Sequence, residues 1–398
     1  MHPGIKSLLV VAGFSGMSVQ AYADIILTVG AGGTYSTVSM AVSVADADAN
    51  AADTYVIEVA PGTYTNDFPD VTRAMTIEVT PGDAGQQVLL LATEPLPNEK
   101  GIILTTASLT VNGLTFEGAE VSAADDGNGA GIRDQNGDKV EAFLGNGPPG
   151  QPNPPASLIV ENSNFIDDQE GILTGYDTSE TVAISNSNFI NNGNPDPALF
   201  QHALYVNYAG SLTVTNSLFC GQLIGHDIKS RALSTTIENN QIYDGAAGPG
   251  ACNVGTSSYG IDVPNGGVAT ISDNQIIQGA GSENQVMVDY GSEGLLFNDN
   301  SLLVSDNNFL NSDLPNAIGV YNNTVVDAQL TGNTFQDVAC PLDQRLVCSD
   351  QTGGVVVTNP NPIPEPASLA LFAIALAGFS ARRSKRVSAY FARTSASS

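Results

Sequence analysis

The stretch Leu158-Ile-Val-Glu-Asn-Ser-Asn-Phe165 decides the fold, because it returns as Val182-Ala-Ile-Ser-Asn-Ser-Asn-Phe189 and as Leu212-Thr-Val-Thr-Asn-Ser-Leu-Phe219. Each copy has alternating apolar residues, a turn residue that tolerates the left-handed αL conformation, and a closing apolar ring. Weaker copies close on these residues: Phe116, Ile242, Ile276, Phe309 and Phe335. A repeat of this kind predicts a solenoid in which each copy forms one coil stacked on its like neighbour.

The spacing of the closing residues predicts where the coils carry insertions. Successive separations run from 23 to 34 residues, apart from one of 49 between Phe116 and Phe165. That larger gap is either two coils or one coil carrying the Gly/Pro-rich loop around 119–156. Most coils contain a second strand with a period of two. These strands are Ala203–Asn207, Asp227–Arg231, Gly260–Pro264, Gln285–Asp289 and Ala317–Tyr321.

The segment before the repeats contains a strand, a helical pattern and a turn. Asp24-Ile-Ile-Leu-Thr-Val29 is followed by an amphipathic stretch at 41–49 and then by Tyr55-Val-Ile-Glu-Val-Ala-Pro-Gly-Thr-Tyr64. This order resembles the start of the pectin lyase-like superfamily, in which a capping helix and a Pro-Gly-x-Tyr turn begin the solenoid. The resemblance implies an all-β, single-stranded right-handed parallel β-helix with an N-terminal helical cap, and we expect it to occupy 24–356. A cap is also physically required, because the first coil would otherwise expose its core and sheet edges.

Both ends of the chain predict export. Residues 1–23 combine a positive start, an apolar stretch and Ala21-Tyr22-Ala23, the pattern of a signal peptide cleaved before Asp24. Residues 357–398 combine a Pro-rich linker, an apolar run at 367–381 and a basic cluster at 382–386. As a helix this run would reach about 22 Å, short of the roughly 30 Å hydrocarbon core, which favours transient inner-membrane anchoring.

The C-terminal tail resembles the PEP-CTERM sorting signal. Pro364-Glu365-Pro366, the apolar run and the basic cluster follow one another in the order of that signal. The resemblance implies a hydrophobic sorting helix, recognition by an exosortase, cleavage near the Pro-Glu-Pro, and a final place at the surface of a Gram-negative cell or outside it.

The exported region is strongly acidic. Residues 24–365 contain all 41 Asp and Glu but only seven of the 13 Lys and Arg, a formal charge of −34. Such a charge keeps an exported protein soluble and repels nucleic acid, so no nucleic-acid partner is expected. We expect a monomer.

Four cysteines in this region suit two disulfides in an oxidising compartment. Cys340 and Cys348 are predicted to close a C-terminal loop, and Cys220 and Cys252 to tie neighbouring coils. The spacings do not fit a zinc site.

One outward face gathers scarce residue types. If Leu204, Ile228, Ile261, Val286 and Ile318 face the core, one outward column contains Tyr205, Lys229, Asp262, Met287 and Gly319. Both histidines of the exported region lie just before these strands, one coil apart. The candidate site residues are His202, Tyr205, His226, Asp227, Lys229, Arg231 and Asp262. Such clustering indicates a site, although surface salt bridges and turn histidines would give the same pattern.

Two chemistries would use this face. In β-elimination of a uronic-acid glycan, Lys229 beside Arg231 would be the base, with Tyr205 or a histidine as the acid. In glycoside hydrolysis, Asp227 and Asp262 would be the carboxylate pair.

Ile228-Lys-Ser-Arg-Ala232, followed by Ile237-Glu-Asn-Asn-Gln-Ile242, is similar to the Lys-Ser strand of the chondroitinase B and alginate lyase family. The resemblance implies Lys229 as the base and Ca²⁺ as a possible cofactor. The chain departs from that family in having no arginine at 260–267, and Gln222 and Ile224 where a Glu pair is expected.

Two functions therefore remain open. One is a non-catalytic surface or matrix protein that interacts with polysaccharide or exopolysaccharide, and it is slightly favoured. The other is a polysaccharide lyase or, less so, a glycoside hydrolase acting at the face around Lys229.

Overall fold

A computed structural model of the chain describes residues 24–122, 127–135, 156–194 and 200–344. In these ranges the chain forms 31 strands and one helix, α1 (Val38–Asp46), and the strands make three parallel sheets. After β1, each coil contributes one strand to sheet A, then one to sheet B and one to sheet C, and each strand pairs with its counterparts in the adjacent coils. The predicted right-handed parallel β-helix is confirmed.

The strands of each sheet are as follows. Sheet A contains β1 (Ile25–Val29), β2 (Tyr55–Val59), β5 (Met75–Val79), β8 (Leu109–Asn112), β11 (Ser157–Glu161), β14 (Thr181–Ser185), β17 (Ser211–Thr215), β20 (Ser234–Glu238), β23 (Val268–Ser272), β26 (Ser301–Ser305) and β29 (Gln329–Thr331). Sheet B contains β3 (Gly62–Thr65), β6 (Val88–Leu91), β9 (Leu114–Glu117), β12 (Asn164–Ile166), β15 (Asn188–Ile190), β18 (Leu218–Cys220), β21 (Gln241–Asp244), β24 (Gln275–Gly279), β27 (Asn308–Ser312) and β30 (Thr334–Gln336). Sheet C contains β4 (Asp70–Val71), β7 (Gly101–Thr105), β10 (Ala130–Asp134), β13 (Glu170–Leu173), β16 (Leu204–Val206), β19 (His226–Ser230), β22 (Tyr259–Val263), β25 (Val286–Tyr290), β28 (Ile318–Asn322) and β31 (Cys340–Gln344).

The turn from sheet A to sheet B repeats in coil after coil. Its first residue has a positive φ of 49° to 58° at Asn162, Asn186, Asn216, Asn239, Asp273 and Asp306, as the sequence predicts. The next residue is a buried Ser or Asn, whose side chain accepts a hydrogen bond from the equivalent backbone N–H of the preceding coil. Examples are Ser163 N to Ser187 Oγ at 3.2 Å and Asn274 N to Asn307 Oδ1 at 2.9 Å. These side chains satisfy donors that would otherwise be buried without a partner.

The closing rings stack along the axis of the solenoid. Centroids lie 5.0 Å apart for Phe116 and Phe165, 4.7 Å for Phe165 and Phe189, and 4.6 Å for Phe189 and Phe219. Because Phe116 pairs directly with Phe165, the gap of 49 residues is one coil with a long insertion rather than two coils. Residues 136–155 of that insertion lie outside the described ranges.

The N-terminal cap is present as α1, which begins three residues before the predicted 41–49. Thr37 forms the N-cap, and the Asp67 carboxylate accepts the N–H groups of Val38 and Ser39 at 2.5 and 3.1 Å. An acceptor at this end satisfies free helix donors and complements the helix dipole. The buried face of α1 packs on the first coils.

The cysteine predictions can be checked in part. Cys220 and Cys252 form a disulfide with Cα atoms 5.6 Å apart, as predicted. Cys340 is also disulfide-bonded, and its predicted partner Cys348 lies outside the described residues. The predicted signal peptide, the sorting helix and the boundary at 356 also lie outside them.

Candidate functional site

The register of sheet C brings the sequence-predicted column together over three coils. Tyr205 pairs with Lys229, and Lys229 pairs with Asp262, as the sequence predicts. Asp262 then pairs with Asp289, and Asp289 with Tyr321. The column is therefore Tyr205, Lys229, Asp262, Asp289 and Tyr321.

The prediction is wrong for the last two positions of the column. The structure places Asp289 and Tyr321 there, each two residues after the predicted Met287 and Gly319. Met287 lies in the core, and a Cβ atom on Gly319 would meet the ring of Phe335, so both positions face the interior. Val288 pairs with Ile261 and continues the core column, whereas Val286 belongs to a separate apolar cluster.

The side-chain directions in β19 explain this difference. The side chains of His226 and Lys229 both reach Asp262 on the outer face, while Ile228 lies in the core. Asp227 and Ile228 must then both face inward, which a strict period of two does not allow. Asp227 is fully buried, and the charge of Asp244 on sheet B acts on it.

Asp227 is therefore separated from the other candidate residues. Burial first, and then the charge of Asp244, raises the pKa of Asp227 well above its ordinary value. Asp227 and Asp262 lie on opposite faces of sheet C, so they cannot flank one glycosidic bond as the hydrolase hypothesis requires.

The remaining residues form a charge cluster, by which we mean His226, Lys229, Arg231, Asp262 and Glu293. Asp262 Oδ2 lies 3.2 Å from both His226 Nε2 and Lys229 Nζ. Lys229 Nζ is also 3.5 Å from Glu293 Oε1 and 5.5 Å from the ring centroid of Tyr205. The lysine is thus held between two carboxylates and an aromatic face.

Arg231 clamps the same glutamate with both ends of its guanidinium. Its two terminal nitrogens lie 2.5 and 2.8 Å from the two oxygens of Glu293, a bidentate arrangement. Its Nε donates to the Tyr205 hydroxyl at 2.8 Å, and Nη1 also donates to Asn265 Oδ1. Arg231 therefore fixes the position of Tyr205.

The two histidines lie against each other on adjacent coils, with their ring planes tilted by 31°. Their ring centroids are 4.7 Å apart, and the His226 backbone N–H donates to His202 Nδ1 at 3.0 Å. Phe200 packs edge-on against both rings, and Tyr259 lies 4.8 Å from His226 on the next coil.

The charge cluster lies under covering residues rather than in an open groove. The Lys229 side chain is 0% exposed, and His202, His226, Arg231 and Asp262 are also buried. A general base must come within hydrogen-bond reach of the substrate proton. In this state Lys229 has no route to a substrate.

A partly exposed tyrosine surface, consisting of Tyr176, Tyr205 and Tyr208, lies beside the cluster. Tyr176 and Tyr208 stack with centroids 5.5 Å apart, and burial raises the pKa of both hydroxyls, which therefore stay protonated. The positive charges of Arg231 and Arg133 act in the opposite direction and lower the pKa of Tyr176.

Sequence reasoning missed Tyr176, Tyr208 and Glu293. Each follows the end of a sheet C strand by two or three residues, after β13, β16 and β25 respectively. That recurring position is the signal that could have found them.

The donor set does not fit the calcium ion that the family resemblance implies. Asp262 and Glu293 are the oxygen donors here, but Lys229 and Arg231 already neutralise them. Among the described residues no group of three or more His, Cys, Asp or Glu is arranged to hold a metal ion.

Comparisons with known proteins identify the C-terminal tail. Residues 362–386 match the PEP-CTERM protein-sorting motif. No curated protein matches the chain. Among solved structures, ORF18 of Geobacillus virus E2 is similar at 10% identity with a TM-score of 0.27, and the match covers 73% of this chain and 54% of that one. The chain thus spans about half the length of that structure.

The sorting motif defines how the protein is handled in the cell. No helix within the described part of the chain is both long and apolar enough to cross a membrane. The PEP-CTERM motif at 362–386 indicates an exported protein whose C-terminal sorting tail is processed by an exosortase.

Proposed function

We propose that this exported β-helix is a non-catalytic protein of the cell surface or extracellular matrix that binds polysaccharide on its tyrosine surface. The observation that carries the proposal is the partly exposed group of Tyr176, Tyr205 and Tyr208 beside sheet C. Arg231 donates a hydrogen bond to the Tyr205 hydroxyl. Arg133 lies in the same column of sheet C as Tyr205, two coils before it. The rings are thus presented on rigid strand ends.

Tyrosine suits this role for physical reasons. Its ring offers a flat apolar face for the C–H groups of a sugar, and its hydroxyl offers a hydrogen bond at the rim. It has few rotatable bonds, so little conformational entropy is lost on binding. The chain contains no tryptophan, so Tyr and Phe are its large planar side chains. Tyr176 and Tyr208 lie on adjacent coils with ring centroids 5.5 Å apart, so one polymer chain would contact both.

The non-catalytic role is favoured by the state of Lys229. Its amino nitrogen is fully buried and lies 3.2 Å from Asp262 and 3.5 Å from Glu293, so it is engaged with two carboxylates of the protein rather than directed at a substrate. A lysine base would need the opposite surroundings.

Binding to a panel of neutral and acidic polysaccharides, including the host's exopolysaccharide, tests the proposal. Affinity electrophoresis of the purified protein should detect binding that Tyr176→Ala and Tyr208→Ala each weaken about five- to tenfold, since one stacked ring contributes about 1 kcal/mol. Tyr243→Ala is the matched control, because Tyr243 is also partly exposed but lies on sheet B. No binding to any polymer, or equal loss in the control, would contradict the proposal.

A polysaccharide lyase is the second candidate, because Lys229, Tyr205, Arg231 and His226 do lie within one cluster. It requires Glu293 and the covering residues to move away from Lys229. Ultraviolet detection of unsaturated sugars from uronic-acid polymers tests it, with Lys229→Ala as the inactive control. Product from the wild type that the variant does not make would favour the lyase over the binding protein.

A further inference from the structure

Lys229 and Arg231 already bind a carboxylate in this structure, and it belongs to the protein itself. Glu293 receives two hydrogen bonds from Arg231 and lies 3.5 Å from Lys229 Nζ. This planar, bidentate geometry is the one by which arginine recognises carboxylates of any origin. Glu293 therefore shows which chemical group the two cations accept.

Glu293 is the replaceable member of the cluster. Its side chain is 33% exposed, whereas the Asp262 side chain, the other carboxylate on Lys229, is 3% exposed. The route from the cations to solvent therefore passes through Glu293.

The backbone around Glu293 is anchored independently of its side chain. The Glu293 N–H donates to Pro264 O at 3.0 Å, and the Leu296 N–H donates to Asn265 O at 3.1 Å. A rotation of the side chain alone would uncover Arg231 without any movement of the loop.

Charge balance defines what would replace it. Lys229 and Arg231 carry two positive charges, and Asp262 and Glu293 carry two negative ones. Asp289 lies next to Asp262, and burial followed by the Asp262 charge raises the pKa of Asp289 well above its ordinary value, so its neutral form is favoured. With Glu293 turned outward, Lys229 and Arg231 would lose the carboxylate that both contact here. Another anion that reaches them would restore these contacts, whereas an uncharged group would not.

We propose that Lys229 and Arg231 form a carboxylate-binding site that Glu293 occupies in this structure, and that an acidic polysaccharide binds by displacing Glu293. The ligand's carboxylate takes the place of the glutamate, and its adjoining sugar rings lie on Tyr205 and Tyr208. This inference rests on the proposed function and specifies the class of polymer. The intramolecular carboxylate also gives selectivity, because a neutral polymer cannot replace it.

The test compares polygalacturonate with its methyl ester, which has the same backbone without the charge. In the full exported protein, Glu293→Gln should raise the affinity for polygalacturonate about tenfold, because the competing charge is gone while the size of the side chain is kept. Its affinity for the methyl ester should not change. Glu293→Asp, which keeps the charge on a shorter side chain, should give a smaller gain. Glu283→Gln is the control, because it removes an equal charge from an exposed position on a neighbouring connection.

The outcomes separate the two proposals. If Glu293→Gln binds both polymers as the wild type does, or if Glu283→Gln gives the same gain, the carboxylate site is overturned, while loss of binding in Tyr176→Ala would leave the tyrosine surface standing. If no protein binds either polymer or any other polysaccharide, both proposals fail. A melting temperature for each variant shows that binding is compared between folded proteins.

Discussion

Sheet A and sheet C are built from the same coils, yet their outer faces differ. In β17 of sheet A buried residues alternate with partly exposed ones, whereas all five residues of β19 in the same coil are buried. β25 and β28 of sheet C are also buried throughout. Sheet A thus presents a plain solvated surface, and sheet C a covered one that retains charges and aromatic rings.

The lengths of the connections explain this difference. Two residues join β11 to β12, and the other turns from sheet A to sheet B have one or two residues, except for 80–87 between β5 and β6. Some connections that flank sheet C are longer, such as 245–258 before β22 and 291–300 after β25. The second of these contributes Glu293, which contacts Lys229 and Arg231 on the outer face. In a solenoid, a longer connection between two strands does not disturb the pairing of neighbouring coils. Functional sites can therefore form beside the strands whose connections are long.

The largest effect should come from the cation on the covered face. Lys229→Met removes the cation that Glu293 shares with the buried Asp262, and we expect the free energy of unfolding to fall by about 3–5 kcal/mol. Thr236→Ala, at an outward position of β20 in the following coil, should change it by less than about 0.5 kcal/mol. Denaturant titration measures both. Equal changes would mean that the two faces do not differ in energy as they do in burial.

The second effect concerns pH and the interior behind sheet C. Asp244 accepts hydrogen bonds from Ser257 and Gln278, yet burial raises its pKa from 3.8 to about 6. The folded state therefore holds this proton more tightly than the unfolded state. Its contribution to stability is present below about pH 4 and is lost as the pH rises to about 6, a change of roughly 3 kcal/mol.

The variant Asp244→Asn isolates this contribution from the general repulsion among surface acids. It should lose about 3 kcal/mol less stability than the wild type between pH 4 and pH 7 in denaturant titrations. Asp273→Asn is the control, because Asp273 is exposed at a sheet A to sheet B turn where Asn occurs in other coils. An Asp244→Asn profile parallel to that of the wild type would show that Asp244 does not titrate in this range.

The smallest effect should come from the sheet A turn. Asn186 has a φ of 49° and is exposed, so Asn186→Ala should cost about 1 kcal/mol through backbone strain alone. Asn186→Gly should cost less, because glycine has no Cβ to clash. Denaturant titration again distinguishes them, and a cost for glycine as large as that for alanine would exclude strain as the cause.

The features that the sequence predicts correctly are local and repeat in each coil. The αL turn and the closing ring are fixed by a few neighbouring residues, so Asn162 and Phe165 could be placed from their spacing alone. The cap at 41–49 was displaced by three residues because Thr37 and the distant Asp67 set the start of the helix.

The candidate site depends on contacts that are not local. The clustering of Lys229, Arg231 and His226 follows from the register, but their burial depends on residues such as Glu293, 62 positions beyond Arg231. The inward direction of Asp227 departs from a period of two, so the alternation of apolar residues does not predict it. Sequence spacing therefore indicates which residues meet but not which of them solvent can reach.

Each coil pairs only with the coil before it and the coil after it, and this affects how the gene can evolve. Phe165 and Phe189 are 24 residues apart, and the same turn asparagine and buried serine precede each of them. The two ends of this 24-residue segment have similar sequences. Recombination between such ends would add or remove one coil and leave the pairing of the other coils intact. A β-helix of this type can therefore change in length by whole coils during evolution, while the Tyr and Arg side chains beside sheet C diverge independently.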